Sequence, residues 1–409
     1  MYRAKDFNIV NYFFWLAVGV ALLTSGLLFR DLADVSQWII QTDRADIMWT
    51  WYNRNGIALV SLVALISLVV LWFKQKDLLA IKWLMGLVGT IVFLFYSGFI
   101  NPHLMMRERQ DDGVYVTVEE AKKYIAENES VIVIDVNGQA RAHADKQLLR
   151  PHVASNGKIG GEDVVMTYCG LTNLGMAVIP ELDGQRLDLR PMNQLENNLV
   201  LADRITGEPI QQLWMTKESD KLAGVDNRLQ EWPSFRMPFA KFAQAYPDGE
   251  VFLNDYDIEE LKPSFIENPF LAIYDPIMDL VFDHAIDAQA KNPEPVFPTI
   301  ETSDNRLANK EKIWGFNVGK DYVAYTENFV RQSGNLINVE VGGQKVVVYY
   351  SDEFESLGIY HNVTGNDIES MDFFGNTEFG KLPRVETVKA GAYWIVWANF
   401  FPQTDVNRT

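Results

Sequence analysis

Cysteine is nearly absent from this chain: its 409 residues contain one, Cys169. An intramolecular disulfide and an all-cysteine metal cage are thereby excluded within one chain. Positive charge is also scarce. With 36 Lys and Arg against 54 Asp and Glu, the formal net charge is −18. That balance repels phosphates, so it argues against nucleic acid as a partner and against electrostatic docking on anionic lipid. Gly-x-Ser-x-Gly, His-Glu-x-x-His, a phosphate-binding loop and a dinucleotide fingerprint are all missing, which removes support for the enzyme classes those motifs define. The acidic runs Asp255, Asp257, Glu259, Glu260 and Asp352, Glu353, Glu355 lack the order of a calcium loop and read as solvated faces.

Apolar sequence is plentiful and unevenly spread. At 48% hydrophobic and 22% charged the chain folds, and its length implies more than one unit. Ile9 to Phe29, Ile57 to Phe73 and Trp83 to Ile100 are apolar runs near the ~17–20 residues that a bilayer crossing needs. No small-x-small cleavage site precedes Arg30, and no lipobox cysteine follows, so the first run reads as a retained anchor and not a signal peptide. Arg3 and Lys5 precede the first run, and Lys74, Lys76 and Lys82 join the second to the third. The positive-inside rule places both groups in the cytoplasm. Arg30, Arg44 and Arg54 in the first link pull the other way, while Trp38, Trp49, Trp51 and Tyr52 there are residue types of a membrane–water boundary. The expectation is a bacterial inner-membrane protein with a cytoplasmic N-terminus, three spans and a periplasmic domain after Ile100. Inner-membrane lipid is its first partner. None of the runs carries an interior charge, so anchoring is a better reading than an ion path.

Beyond residue 104 the pattern is α+β, mostly antiparallel strands with short helices. Thr117-Val118-Glu119-Glu120 has capping-box spacing and predicts a helix ending near Asn128. From Val131 to Gly175 the sequence reads as strand, Asn137-Gly138 hairpin turn, strand, a polar link carrying His152, a Gly160-Gly161 turn and a strand ending at Tyr168-Cys169. Phe239, Phe242, Ala243 and Tyr246 have helical spacing. A second copy follows. Gly160 to Tyr168 (GGEDVVMTY) matches Gly342 to Tyr350 (GGQKVVVYY), and Ala142-His143 matches Ala324-Tyr325, both 182 residues on; FAQAYPDGEV from Phe242 matches WANFFPQTDV from Trp397, 155 residues on. The predicted organisation is an anchor at 1–104, a first β repeat at 114–255, a connector at 256–310 and a second, shorter β repeat at 311–409. Within the connector Pro276 to Ala290 reads as a helix, with Ile277, Val281 and Ala285 on one side and Asp279, Asp283 and Asp287 on a solvated side. Asn292 to Thr299, with three prolines, reads as an extended tether.

The succession VNGQARAH, His152, Gly160-Gly161, VVMTYC, ADRITG and FAQAYPDGEV, closing on AYWIVWANFFPQTDV, resembles the bacterial and archaeal family of domain of unknown function 3179, over nearly all of Val131 to Val406. The resemblance implies a repeated, mostly β extracytoplasmic domain on a membrane or lipoprotein anchor, without an established activity. It also implies Cys-x-x-Cys after the Thr-Tyr pair. Here the sequence is Cys169-Gly170-Leu171-Thr172, a hydroxyl in place of the second sulfur, so a dithiol cycle within one chain is not possible. The second copy carries Ser351 and Gly334 where the first has Cys169 and His152.

Any chemistry therefore belongs to the first copy, at the strand end that carries Tyr168, Cys169 and Thr172, with His152 as the family's histidine. Two uses are open: a nucleophile–base pair of Cys169 and His152, or a single transition-metal ion held by those two and completed by His143 or an acid. The bland reading is a buried cysteine and a histidine hydrogen-bonded in a loop. The favoured function is a non-catalytic binding or scaffold subunit, without a cofactor, at the outer face of the inner membrane. A membrane-protein complex or a homo-oligomer would be its setting. A metal-binding or thiol-dependent periplasmic enzyme is the alternative.

Overall fold

The computed structural model describes the backbone of residues 2–33, 37, 40, 42–99, 101–300 and 303–409, with all their side chains except those of 2–8, 75–80, 82–83 and 96–99. The side chains of Arg3, Lys5, Lys76, Lys82 and Trp83, and the residues Trp38 and Ile100, lie outside this description. The chain divides into two compact units. One is Met1–Met105 with Phe297–Thr299, the other Met106–Val296 with Ile300–Thr409.

The first unit is helical, with α1 at Tyr2–Leu32 and α2 at Arg44–Phe99. Among the described residues two stretches, not the expected three, have the length and hydropathy of a crossing: Ile9–Leu32 at mean hydropathy 1.9 and Arg44–Lys74 at 2.7. Leu84–Phe95 is a shorter apolar helix. The break expected at Lys74 to Lys82 is not a loop, because the link KQKDLLAIK contains neither Gly nor Pro and is built of good helix formers. Both parts of α2 pack on α1. Ala64 and Leu68 share a buried cluster with Phe14, Val18 and Ala21. An added Cβ on Gly86 would lie 2.6 Å from Val18, and the Phe93 ring lies 5.8 Å from Phe29. Along a straight helix Ala64 and Gly86 would be ~33 Å apart, so α2 doubles back between them. Within the most apolar 18-residue window of each stretch only 28% and 22% is buried, and Leu23, Leu59, Val63 and Ile66 are exposed.

The second unit is α+β with mostly antiparallel sheets. Asn137-Gly138 makes the tight turn between Ser130–Val136 and Gln139–Ala144, with φ of 53° and 84° at its two residues, as Asn-Gly demands. These strands are central to a five-stranded sheet. Ser234–Pro238 closes one edge; Glu250–Leu253 pairs parallel to Gln139–Ala144, and Val114–Thr117 lies outermost. Behind it lies a sheet of Val153–Ala154, Val165–Cys169, Leu174–Val178 and Glu231–Trp232, and beside that a third of Leu189–Leu195, Asn198–Asp203, Pro209–Gln211 and Thr216–Lys217. Thr117 and Glu120 form the capping box, but the helix it opens is only Val118–Ala121.

The second half repeats these pairings. Lys312–Val318 and Asp321–Tyr325 form the hairpin, Lys389–Tyr393 closes one edge, and Asp405–Val406 pairs parallel at the other. Ala142 faces Val251 as Ala324 faces Val406, and helix Phe239–Ala245 has its counterpart in Trp394–Phe400. Gly160 and Gly342 make the same turn at φ 56° and 58°. A Cβ there would sit 2.2 Å from the Val136 carbonyl oxygen or 2.4 Å from that of Val318, so no side chain fits either place. Contacts between the halves are reciprocal: Ser234–Pro238 lies against Ser356–His361, and Lys389–Tyr393 against Leu174–Val178. Phe354 and Phe373 enter the first half's core beside Phe235.

The connector helix is longer than expected, Pro269–Lys291, because Asn268 caps it by accepting from the Leu271 amide and Pro276 is accommodated inside it. Its buried side is Tyr274, Asp275, Met278 and Phe282, while Ile277 is exposed. Asp279 is not simply a solvated residue. It pairs with Arg150 at 2.6 Å. The proline-rich stretch after it is partly tied down, since the Val296 amide donates to Gln289 at 2.8 Å.

Candidate functional site

Strand Val165–Cys169 is buried along its whole length. Side chains alternate across a strand, so Thr167 and Cys169 share one face and Met166 and Tyr168 the other. The hairpin Leu189–Leu195 to Asn198–Asp203 turns at Glu196-Asn197, both at positive φ. It delivers amides to the Cys169 face. The Cys169 thiol lies 3.8 Å from the Asn197 carbonyl and 3.5 Å from Thr172 Oγ1. The Thr172 hydroxyl donates to the same carbonyl at 2.7 Å and accepts from Asn198 Nδ2 at 2.9 Å. Asn198 Nδ2 also donates to Gln212 Oε1, Gln211 Nε2 donates to Asn198 Oδ1, and Gln212 Nε2 donates to Thr167 Oγ1. Every one of these residues is buried, and none carries a charge.

A fully buried thiol among neutral amides stays protonated. Burial pushes the Cys169 thiol up from its ordinary value, against the partial help of hydrogen bonds from Thr172. The Thr172 hydroxyl is itself satisfied, and among the described residues the sulfur meets that hydroxyl and the Asn197 carbonyl, neither of them a base.

His152 stands on the other face. The Tyr168 amide donates to the His152 carbonyl at 2.8 Å, and the imidazole packs edge-on against the Tyr168 and Phe282 rings, at 6.4 and 5.6 Å. Gln194 Nε2 lies 3.4 Å from its Nε2, and burial lowers its pKa to about 3, with the Arg150 charge adding to that. The structure therefore brings together Cys169 and Thr172, while Tyr168 turns to the other face beside His152. No hydrogen bond joins His152 to the Cys169 sulfur among the described residues. His143 lies elsewhere again, between Tyr115 and the Ile132 carbonyl. Among the described residues no group of three or more His, Cys, Asp or Glu is placed to hold a metal ion.

The Tyr168 face meets an arginine that sequence reasoning missed. Arg236 reaches across the two halves: Nε donates to the Ala390 carbonyl, Nη2 to the Asn173 carbonyl, both at 2.9 Å, and Nη1 pairs with Asp145 at 2.7 Å. Gly391 makes room for it, since a Cβ there would lie 2.8 Å from Arg236 Nε. Burial drives the Tyr168 hydroxyl well above its ordinary value, with Asp145 adding to the effect. The polar partners Asn197, Asn198, Gln211 and Gln212 were missed for lack of any motif; only the paired Asn-Asn of LENNLV hinted at a turn.

An open concavity of the domain lies away from the cysteine. A groove of about 1080 Å³ runs between the two halves, lined by Trp214, Lys221, Arg228, Lys320, Tyr322 and His361, among others. Its walls are held by the buried Lys389–Glu231 ion pair and by His361 against Glu386 at 3.1 Å. Lys221 Nζ stands 4.3 Å from the centre of the Trp214 ring.

A β-rich α+β domain with a sealed thiol and an open inter-half groove, preceded by apolar helices, is the class of protein these features define. The family described as protein of unknown function, DUF3179, matches residues 102–404, and the chain belongs to it. No curated protein and no solved structure matches the chain.

Proposed function

We propose that the chain is a membrane-anchored, non-catalytic binding or scaffold protein whose extracytoplasmic β domain takes its ligand in the groove between two duplicated halves. The observation that carries this reading is the sealing of Cys169 in a neutral network while the groove stands open. Duplication is supported by the equivalent pairings and by the Gly160 and Gly342 turns. Reciprocal strand contacts between the halves are those of a pseudo-twofold, with the first repeat at 114–255 and the second at 311–409. The alternative of a metal or thiol enzyme needs Cys169 and His152 in one cleft, and they face opposite sides of one sheet. A complex with other membrane proteins, or a second copy of the chain, remains the proposed setting.

The thiol decides between these readings. In the native full-length chain in detergent, Cys169 is expected to resist an aromatic disulfide reagent and to react stoichiometrically once unfolded. Cys169→Ser is expected to cost on the order of 1 kcal/mol. Rapid reaction of the native thiol would restore the catalytic reading.

Orientation follows from the anchor. Gly86, Gly89 and Phe93 lie beside Val18, Leu22 and Phe29 in that order, so the last part of α2 runs alongside α1 in the same direction. This supports a third passage and a β domain across the bilayer from the N-terminus, in the periplasm of a bacterium. A reporter fused after Asp112 is expected to be active only outside the cytoplasm; cytoplasmic activity alone would refute the orientation.

A further inference from the structure

The helix Pro269–Lys291 has two apolar faces. One is buried against the domain through Tyr274, Met278 and Phe282. The other is exposed and carries Ile266 (just before the helix), Phe270, Ile273, Ile277 and Leu280, spaced four, three, four and three residues apart. Inside the helix that spacing lines Phe270, Ile273, Ile277 and Leu280 along one side, with Ile266 exposed in the turn before it. Ile266 is 93% exposed and Leu280 72%, whereas a surface helix ordinarily turns a polar face outward.

This face is held rigidly. Asp275 accepts from Arg107 at 2.7 Å and from Arg150 at 2.8 Å, and Arg150 also reaches Asp279. At the far end an added Cβ on Gly170 would lie 2.3 Å from Ile286. A fixed apolar stripe of this length on a domain of net negative charge needs an apolar cover.

We propose that the cover is the lipid bilayer in which the same chain is anchored, with the helix lying in the membrane interface by its Ile266–Leu280 stripe. The inference rests on the anchoring reading given above. Its support is chain continuity. Arg107, which fixes Asp275, follows the last residue of α2, Phe99, by eight residues, so at most ~28 Å of extended chain separates the end of α2 from the helix. Asp279, Asp283 and Asp287 lie on the adjoining side of the helix and offer nothing to anionic headgroups. The attachment is therefore hydrophobic, by insertion of the apolar side chains at the headgroup–acyl boundary. It should persist on zwitterionic lipid.

The test uses the full chain in a Cys169→Ser background, carrying single Leu280→Cys, Ile273→Cys, Glu119→Cys or Leu62→Cys substitutions labelled with an environment-sensitive fluorophore. Each is reconstituted in phosphatidylcholine vesicles with or without brominated acyl chains. Labels at 280 and 273 are expected to be quenched at least ~2-fold by brominated lipid and little by aqueous iodide, as for a helix at the interface. The label at 119 should behave in the opposite way. Leu62 lies on the exposed surface of α2 and reports the anchor alone. Quenching at 62 without quenching at 280 and 273 overturns the inference and leaves the anchor standing, whether those labels are open to iodide or shielded by a second copy. No quenching at 62 overturns the anchor and this inference together.

Discussion

Asp275→Ala is expected to lower the stability of the folded chain by about 3–5 kcal/mol, the range for removing one partner of a buried ion pair. Asp275 is 2% exposed and Arg150 1%. Both guanidinium contacts fall on the same oxygen, Oδ1, at 2.7 Å from Arg107 and 2.8 Å from Arg150. Arg107 also covers the Tyr256 ring at 4.2 Å, and its burial pulls its pKa down despite Asp275. Removing the carboxylate would leave two arginines facing each other in a site with little water. Arg150 would keep Asp279, whose side chain is 43% exposed and so compensates weakly. Denaturant unfolding followed by tryptophan emission would measure the loss. Asp275→Asn, which keeps a hydrogen-bond acceptor, should lose less. The pair Arg150→Met with Asp275→Leu should recover part of the deficit, because it removes one of the two arginines that Asp275→Ala strands, although Arg107 stays without its carboxylate. A single Asp275→Ala variant within ~1 kcal/mol of the parent would show that water solvates this cluster after all.

How much of this was legible depended on whether a feature was local. Asn137-Gly138 announced its turn because two adjacent residues determine it, and Gly160-Gly161 announced its own because positive φ leaves a direct mark on residue choice. The capping box at Thr117 was equally local, though nothing there fixed how soon the helix would end. The break expected between the second and third apolar runs follows from the polar interruption at Lys74 to Lys82, which reports on hydropathy and not on backbone conformation. With no Gly or Pro in KQKDLLAIK, its residues keep helical conformation even though α2 reverses direction between Ala64 and Gly86. The connector helix was cut short because Pro276 looked like a start, while the true cap, Asn268 before Pro269, was overlooked.

The site was less legible than the fold. Cys169 and Thr172 are near each other in sequence and stay in contact, while Tyr168, one residue away, points to the other face. Asn197, Asn198, Gln211 and Gln212 join them through pairings that span tens of residues, and amides carry no signature of their own. A seventeen-residue separation made His152 look like a partner for Cys169. The register Val153 to Thr167 instead aligns it with Tyr168, and a one-residue step along a strand changes the face.

Acidification is expected to unfold the domain well before its carboxylates are exhausted, because two histidines are buried neutral. His143 is fully enclosed. Its Nδ1 lies 3.3 Å from the Ile132 carbonyl and its Nε2 2.9 Å from the Tyr115 hydroxyl. These partners assign the proton to Nδ1, with Nε2 accepting from Tyr115. A proton on Nε2 would reverse that bond, leaving the Tyr115 hydroxyl hydrogen without its acceptor, and place a charge beside Arg141. Burial, reinforced by Arg141, lowers its pKa to about 3; His152, with Arg150 near it, is likewise lowered to about 3. In the unfolded chain each returns to ~6.5. The unfolded state thus binds more protons between those limits, so the histidines contribute stability above pH 6.5 that is lost as the pH falls toward 3. At pH 4.5, two units below the unfolded value, the loss is about 2–3 kcal/mol per histidine at ~1.4 kcal/mol per unit. The thermal midpoint of the full chain should therefore fall steadily between pH 6.5 and 4.5, where most exposed carboxylates are still ionised. His143→Phe, which can keep the stacking on Phe252 seen at 6.0 Å, should roughly halve that slope whatever its own midpoint at neutral pH. A midpoint that stays level down to pH 4.5 would mean that one or both imidazoles reach solvent or already carry a proton in the folded state.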